Sequence, residues 1–332
     1  MNFSSLVKTI IVSTVIIHII GCSSSRTLPP PPQLDKVKIN YIEDELSGWT
    51  DLPIGVYRVP NSQSLISGHQ SNASFGILFG VLGVAIQSSI ESSKGKTKVE
   101  KSRELLTITL TKEAKEITQE LTSLPQFSGV FTDIDSESDT TLDIQPALVF
   151  TYHADDEVKP YVLLQVSLKE ESSQKLLWNS RYIASLGQGK PLVGDNSWES
   201  NSGELLRENI SQNLKKAIEV MLSDISSPYI RDEEKKITVQ GHHPYMRKKF
   251  QTFGYELFQD ESYIGYLPLL GDAVVFSGVN IMDKEHTTIR PFESGDSGFK
   301  IIEGETVEVT VPKEKQSFTG KPRKLPYGRL YD

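Results

Sequence analysis

The alternation of apolar and polar residues predicts three consecutive strands in the middle of the chain. Every second position from Val162 to Leu168 is apolar, and most of the positions between them are polar. This period of two is typical of a strand that buries one face. Similar patterns predict strands over 142–150 and 176–182. Short polar connections separate the three strands, which indicates antiparallel hairpins.

Two segments with apolar residues three and four positions apart predict amphipathic helices. The first predicted helix is capped at its N-terminus by Thr111 and ends before Pro125. The second is capped by Ser202 and ends before Pro228. Before the first helix, the alternation over 105–110 predicts a strand. Together these elements predict an α+β fold, in which an antiparallel sheet carries two amphipathic helices on one face.

Changes in composition divide the remainder of the chain. Shorter strands with glycines and nearly balanced charges predict a small C-terminal β-rich domain, with strands over 263–267, 273–281, 299–302 and 307–311. The predicted segments are 36–104, with N-terminal strands at 37–41 and 54–59 and a glycine-rich apolar stretch; 105–228, the α+β core domain; 229–312, the β-rich domain; and 313–332, a polar tail.

The apolar stretch over 75–86 carries no charge, and a basic cluster follows it. On a helix, Gly76 and Gly80 share a face and allow another backbone to approach closely. Two interpretations stay open: a helix buried against the sheet, or a contact with a membrane or a second copy of the chain. The candidate interaction residues are Phe75, Gly76, Phe79, Gly80, Gly83, Lys94, Lys96 and Lys98.

The N-terminus has the pattern of a secretion signal. Lys8 is followed by an apolar run over 10–20, which is shorter than the roughly 20 residues that span a bilayer. The run ends at Gly21, directly before Cys22, the only cysteine of the chain. The tripeptide before Cys22 resembles the lipobox of bacterial lipoproteins.

This resemblance implies that residues 1–21 are removed and that Cys22 is acylated. Because Ser23 and not an aspartate follows the cysteine, it also implies an outer-membrane anchor that faces the periplasm. Residues 22–35 are then a lipidated tether, with flexible serines and a stiff polyproline run at 29–32.

Composition narrows the function classes. The whole chain has 35 Lys and Arg against 43 Asp and Glu, and loss of Lys8 with the signal leaves a net charge of −9. An acidic secreted chain argues against nucleic acid as a partner. With Cys22 acylated, no disulfide can form within the chain.

The element order strand, helix, three strands, helix over residues 100–227 resembles the core shared by CsgG, LpoB and the N-terminal domain of TolB. The resemblance implies a binding or assembly module of the cell envelope. CsgG forms a secretion pore through long amphipathic insertions, and this chain has no comparable pair.

Several motifs point to turns rather than to catalysis. Gly295-Asp296-Ser297-Gly298 matches the start of the serine motif of chymotrypsin-like proteases, but Phe299-Lys300 departs from it, and no histidine motif precedes it. The Ser-x-x-Lys spacings at 93–96 and 172–175 have no partner motifs of the β-lactamase class.

The only histidine pair is His242-His243. Adjacent side chains diverge and rarely bind one metal, and acidic or thiol ligands at suitable spacing are missing. The pair is expected to line a domain junction, and no cofactor or metal is expected.

The sequence therefore predicts a lipid-anchored, non-catalytic envelope protein. Its expected partners are the outer membrane, through acyl chains on Cys22, and an envelope protein or envelope glycan that it binds in assembly or integrity. A subunit of an outer-membrane export or secretion apparatus, oligomeric through the glycine face, is the alternative. An envelope hydrolase is the third class.

Overall fold

The computed structural model describes residues 28–302, apart from residues 35, 44–45, 47–48, 50–51, 54, 70–94, 98, 128, 133–137, 271–276 and 297. Several sequence predictions fall outside the described residues: Cys22, the stretch 75–86, Lys94, Lys98, Ser297, the strand 307–311 and the tail 313–332.

One mixed sheet dominates the described part of the chain. Its main order is β12-β8-β9-β10-β11-β7-β6-β5-β1-β4; β13 pairs with β9, and β3 pairs with β2 and β5. The strands are β1 Val37–Tyr41, β2 Tyr57–Arg58, β3 Ser64–Ser67, β4 Phe131–Thr132, β5 Thr140–Ala154, β6 Glu157–Glu170, β7 Leu176–Ser185, β8 Lys236–Gly241, β9 Phe250–Gln259, β10 Tyr263–Pro268, β11 Val279–Asp283, β12 Thr288–Pro291 and β13 Phe299–Ile301.

The α+β fold class is confirmed. The helices are α1 Arg103–Leu106, α2 Thr111–Thr122 and α3 Ser200–Ser226. Helices α2 and α3 contact each other, and α3 crosses β6 and β7. Their apolar faces join the even-numbered residues of β6 in one core, because side chains alternate between the two faces of a strand. No helix in the described ranges is long and apolar enough to cross a bilayer.

The sheet is mixed rather than antiparallel, which corrects the sequence prediction. Strands β5, β6 and β7 form the predicted antiparallel hairpins. The short strands β1 and β3 pair in parallel with successive parts of β5. Strand β11 pairs in parallel with β7. Parallel partners come from distant parts of the sequence, so no hairpin signal marks them.

The predicted strand over 105–110 is wrong. Helix α1 ends at Leu106, and the next four residues are a connection to α2. The backbone N–H of Gln63 donates to the carbonyl of Ile108 at 2.8 Å. Leu106 and Leu110 are both buried, so the short apolar alternation reflects packing of a connection and not a strand.

The start of α3 also differs from the prediction. Asn201, Ser202 and Gly203 have φ angles of 52°, 56° and 79°. A capping residue is normally extended, so left-handed Ser202 lacks the backbone conformation of the predicted cap. The regular helix follows Gly203 and ends at Ser226, two residues before Pro228 as predicted.

A second apolar cluster covers part of the helix-free face of the sheet. Tyr161 and Leu163 of β6 point to this face and pack with Leu46, Trp49 and Met246. The segments that carry Leu46 and Met246 are connections, not helices. This cluster leaves the β1 end of the same face open.

The sequence predicts a domain boundary between residues 228 and 229, but strands from both sides of this boundary pair in one sheet. The parallel pairing of β7 with β11 joins residues 182–185 to residues 279–282. The described part of the predicted tether, residues 28–34, lies against this joined body: Leu28 is buried beside Tyr255, and Leu34 packs against the main core. The division into domains itself stays a prediction.

Candidate functional site

An open polar cleft of about 460 Å³ lies on the helix-free face of the sheet. Its floor is formed by β1, the first residues of β5 and the last residues of β6. The lining residues are Lys38, Asn40, Thr141, Asp143, Lys169, Glu171 and Gln174.

Strand register brings these residues together. In the pairings of β5, Thr141 lies opposite Lys38 on one side and opposite Lys169 on the other. Asp143, two positions along on the same face, lies opposite Asn40. The residues between them point to the opposite face, where Leu142 and Ile144 enter the main core. One strand segment thus supplies core on one face and cleft on the other.

Asp143 is the most enclosed charge of the cleft. Its Oδ1 accepts a hydrogen bond from Asn40 Nδ2 at 2.7 Å, and its Oδ2 pairs with Lys169 Nζ at 2.6 Å. The side chain of Asp143 is 10% exposed and that of Lys169 is 32% exposed. Each carboxylate oxygen of Asp143 therefore has a hydrogen-bond partner within the cleft.

Glu171 forms the outer rim. Thr141 Oγ1 donates to its carboxylate, and Lys38 Nζ lies 3.4 Å from the other carboxylate oxygen. The hydrogen bond from Thr141, with the nearby Lys38, lowers the pKa of Glu171 below its ordinary value. Glu171 is 43% exposed, so a ligand in the cleft can reach it.

The lining of the cleft combines charged, amide and hydroxyl groups. Two lysines balance two carboxylates, and Asn40, Gln174 and Thr141 add amide and hydroxyl groups. A site without excess charge favours groups that both donate and accept hydrogen bonds. No histidine or cysteine is among these lining residues.

The cleft adjoins an edge of the sheet. Strand β4 pairs only with Val37 and Lys38 of β1. Among the described strands, none pairs with the outer edge of residues 39–41. An edge that no further strand occupied would offer backbone donors and acceptors to an added strand.

A second group of polar side chains is buried on the same face, at the opposite end of the hairpin of β5 and β6. The rings of His153 and His242 lie 3.8 Å apart between centroids, and His153 Nε2 lies 2.8 Å from the hydroxyl of Tyr161. His243 is fully buried, with its Nε2 3.5 Å from the hydroxyl of Tyr266. The contact of His242 with His153 places the connection between β8 and β9 against the hairpin, and His243 contacts Tyr266 of β10.

Burial keeps these imidazoles neutral. It lowers the pKa of His242 to about 3 and that of His243 to about 4. It lowers the pKa of His153 as well, and the adjacent His242 and Lys159 act in the same direction. Burial also lowers the pKa of Lys159 to about 8. The second histidine of the pair noted in the sequence is fully buried, and neither the ring contact of His242 with His153 nor the bond of His153 to Tyr161 has a local sequence signal.

One group of side chains in the described ranges could approach a metal ion. Single ligand atoms of Asp283, Glu285 and His286 all lie within 4.8 Å of one another. Asp283 already accepts from the backbone N–H of Glu285 at 2.8 Å and from that of Gly187 at 3.3 Å. His286 Nε2 lies 2.6 Å from the amide nitrogen of Gln188. These hydrogen bonds explain why the three side chains lie close together, because they stabilise a turn.

Two other sequence motifs include described residues in turns and connections, whereas the motif at 93–96 lies partly outside the described residues. Asp296 accepts hydrogen bonds from Thr238 Oγ1 at 2.7 Å and from the backbone N–H of Glu293 at 2.9 Å, and it pairs with Arg290. It therefore fixes a turn, as the sequence predicts. Residues 172–175 connect β6 to β7.

Of the predicted interaction segment, Lys96 is described, and it is exposed. Next to it, a side chain at Gly95 would meet the ring of His69 at 2.7 Å. The C-terminal end of the predicted segment is thus packed closely on the body, although no cleft residue belongs to it.

Comparison with known proteins identifies no family. No protein-family model matches the chain, and no curated protein matches it. Among solved structures, the chain is similar to a DUF330-family protein from Xanthomonas campestris, with 12% identity over 59% of this chain and 88% of that chain and a TM-score of 0.24.

Two further structures show similarity of the same order. A PelC dodecamer from Paraburkholderia phytofirmans has 10% identity over 60% of this chain and 92% of its own, with a TM-score of 0.23. A putative neuraminyllactose-binding hemagglutinin homolog from Helicobacter pylori has 11% identity over 60% of this chain and 89% of its own, with a TM-score of 0.22. Similarity at this level identifies no function.

Proposed function

We propose that this chain is an outer-membrane lipoprotein, acylated at Cys22 and facing the periplasm, that binds an envelope protein without catalysis. The observation that carries the binding role is the open, charge-balanced cleft around Asp143 and Glu171, beside the edge of β1 at residues 39–41, with which no described strand pairs. The anchoring role rests on the sequence before Cys22.

The edge and the cleft together favour an extended segment of a protein partner. Main-chain groups of such a segment would pair with β1 along residues 39–41, and its side chains would alternate into the cleft. Lys38 would pair with an acidic side chain of that segment, and Glu171 would pair with a basic one. An envelope glycan is the competing ligand, but the residues that line the cleft include no aromatic platform for a sugar ring.

The anchor is tested by incorporation of labelled palmitate in cells. We expect label in the wild-type protein and none in Cys22→Ala. Label in both proteins, or in neither, would contradict acylation at Cys22.

The cleft is tested by photo-crosslinking in cells from two positions. A photoreactive residue at Gln174 reports on the cleft, and one at Lys215 is the matched control. Lys215 is 51% exposed on α3, on the other side of the sheet. We expect a discrete protein adduct from position 174 and none from 215. Adducts to glycan strands would show that the ligand is the glycan and not a protein. Identical adducts from both positions would show that the cleft is not the binding site.

A further inference from the structure

Residues 28–34 lie on the folded body, although their proline-rich sequence is typical of a free spacer. Leu28 is 8% exposed and packs with Tyr255, Leu267 and Leu269 of the C-terminal strands. Pro31 is buried as well. We call residues 28–34 the strap.

A hydrogen bond makes the strap part of the fold. The indole N–H of Trp178 donates to the carbonyl of Pro29 at 3.0 Å. Trp178 is 2% exposed, so its N–H would lose a partner if the strap left, and an unpaired buried donor is unfavourable. The prolines are already restricted in φ, which lowers the entropy lost when the strap is held in place.

The strap leaves only a short linker between Cys22 and the folded body. Six residue steps separate Cys22 from Leu28, and a fully extended chain spans at most about 3.3–3.6 Å per residue, or about 20 Å in total. A folded body of this size has a radius of gyration of about 19 Å. If the acyl chains of Cys22 lie in a bilayer, the body cannot rotate freely, and the Leu28 end must face the lipid.

The loop beside Leu28 presents one strongly exposed apolar residue among charged ones. Ile230 is 79% exposed in the connection between α3 and β8. The same connection contains Glu233, which accepts a hydrogen bond from the hydroxyl of Tyr255 in the Leu28 cluster. An exposed apolar side chain at this place can enter the headgroup region of a bilayer.

We propose that the strap fixes the orientation of the body on the membrane, with the loop at residues 229–235 turned towards phospholipid headgroups. This proposal rests on the acylation of Cys22 proposed above. The surface is distinct from the cleft at Asp143, which lies on the other face of the sheet.

The proposal is tested with fluorophores at two engineered cysteines in the acylated protein, in which Cys22 leaves no free thiol. Ile230→Cys probes the loop, and Val193→Cys is the control. Ile230 follows the end of α3 and Val193 precedes its start, so the roughly 35 Å length of the helix separates them. Val193 is 49% exposed, which keeps both probes accessible.

The protein is reconstituted in phosphatidylethanolamine and phosphatidylglycerol vesicles that contain headgroup nitroxide lipids. We expect quenching of the probe at 230 and none at 193. A Gly-Ser insertion of about 20 residues after Ser25 lengthens the linker between Cys22 and the body. It should remove the difference in quenching between positions 230 and 193. Equal quenching at the two positions before the insertion, in protein whose acylation is verified by mass, would overturn the proposal.

Absence of an acyl chain in the mass analysis would count against the proposed anchor. A separate measurement then tests whether the strap is docked on the body. In soluble Cys22→Ala protein, Leu28→Ala should lower the midpoint of denaturant unfolding, whereas Leu205→Ala, at a residue that is 37% exposed, should not. Equal midpoints for the two variants would show that the strap is not docked.

Discussion

The side chain of Gln63 caps helix α2 at Thr111, although 48 residues separate them in the chain. Its Oε1 accepts from the backbone N–H of Leu110 at 2.6 Å and from that of Thr111 at 3.1 Å, and its Nε2 donates to Thr111 Oγ1 at 2.7 Å. The first turn of a helix has unpaired N–H groups. A residue beside β3 thus supplies the cap that a local side chain would normally provide.

Loss of this cap should destabilise the protein. We expect Gln63→Ala to lower the free energy of unfolding by about 1–3 kcal/mol, because buried N–H groups lose their acceptor. Gln119→Ala is the matched control, since Gln119 is exposed on α2 itself. Urea unfolding of the two variants measures the difference, and equal midpoints would contradict the capping role.

Asp224 should be among the least replaceable buried residues. It is fully buried and accepts from the hydroxyl of Tyr182 and from the backbone N–H of Tyr229, both at 2.9 Å, and Arg231 lies 3.5 Å away. Asp224→Ala leaves the guanidinium, which is 11% exposed, without its anion, and loss of one partner of a buried pair typically costs about 3–5 kcal/mol.

Tyr182→Phe provides the comparison for Asp224→Ala. It removes a single hydrogen bond and should cost about 1–2 kcal/mol. Calorimetry or denaturant unfolding ranks the two variants. A larger loss for Tyr182→Phe would show that the carboxylate contributes less than its contacts indicate.

Two glycines with left-handed backbone separate conformational strain from steric clash. Gly68 has φ +78°, and a Cβ there would lie 2.3 Å from the carbonyl oxygen of Tyr152. Gly194 has φ +100°, with nothing within 4 Å of its Cβ position. We expect Gly194→Ala to cost about 1–2 kcal/mol and Gly68→Ala to cost clearly more, because β3 must move from β5. Similar losses in thermal unfolding would contradict this packing.

The buried histidines make stability depend on pH. Burial lowers the pKa of His242 to about 3 and that of His243 to about 4, from an ordinary value of 6.5. Below pH 6.5 the unfolded chain binds protons that the folded protein does not, so the free energy of unfolding should fall as pH drops from 6.5 towards 4. Their contribution should be constant at higher pH.

The variant His242→Gln isolates this effect from that of the carboxylates. It should flatten the decrease between pH 6.5 and 4. Unfolding free energies of both proteins across this window provide the measurement. Parallel pH profiles would show that His242 is protonated in the folded state.

Local pattern was sufficient for the elements with strong periodicity. The hairpins of β5, β6 and β7 and the amphipathic helices α2 and α3 follow from repeated apolar spacing. The strand expected at 105–110 failed because six residues are too few to separate a strand from a packed connection that Gln63 holds. The parallel partners β1 and β3 of β5 depend on contacts far apart in sequence.

The cleft could be predicted only in part. Alternation indicates that Ser167 and Lys169 share one face of a strand, whereas Thr141 precedes the predicted strand over 142–150. That Thr141 and Asp143 meet Lys38 and Asn40 depends on the parallel register of β1, which the sequence does not mark. The contact of Leu28 with the cluster that contains Tyr255 likewise joins residues that are far apart in sequence.

The proposed binding role requires that a partner interacts with the charged side chains of the cleft. A charge exchange between Lys38 and Glu171 tests this most directly. Lys38→Glu combined with Glu171→Lys keeps an ion pair at the same place but reverses its direction. With the photoreactive residue at Gln174, we expect the double variant to fold like the wild type, as judged by its unfolding midpoint, and to lose the protein adduct. Retention of the same adduct at undiminished yield would contradict recognition of a partner by this cleft.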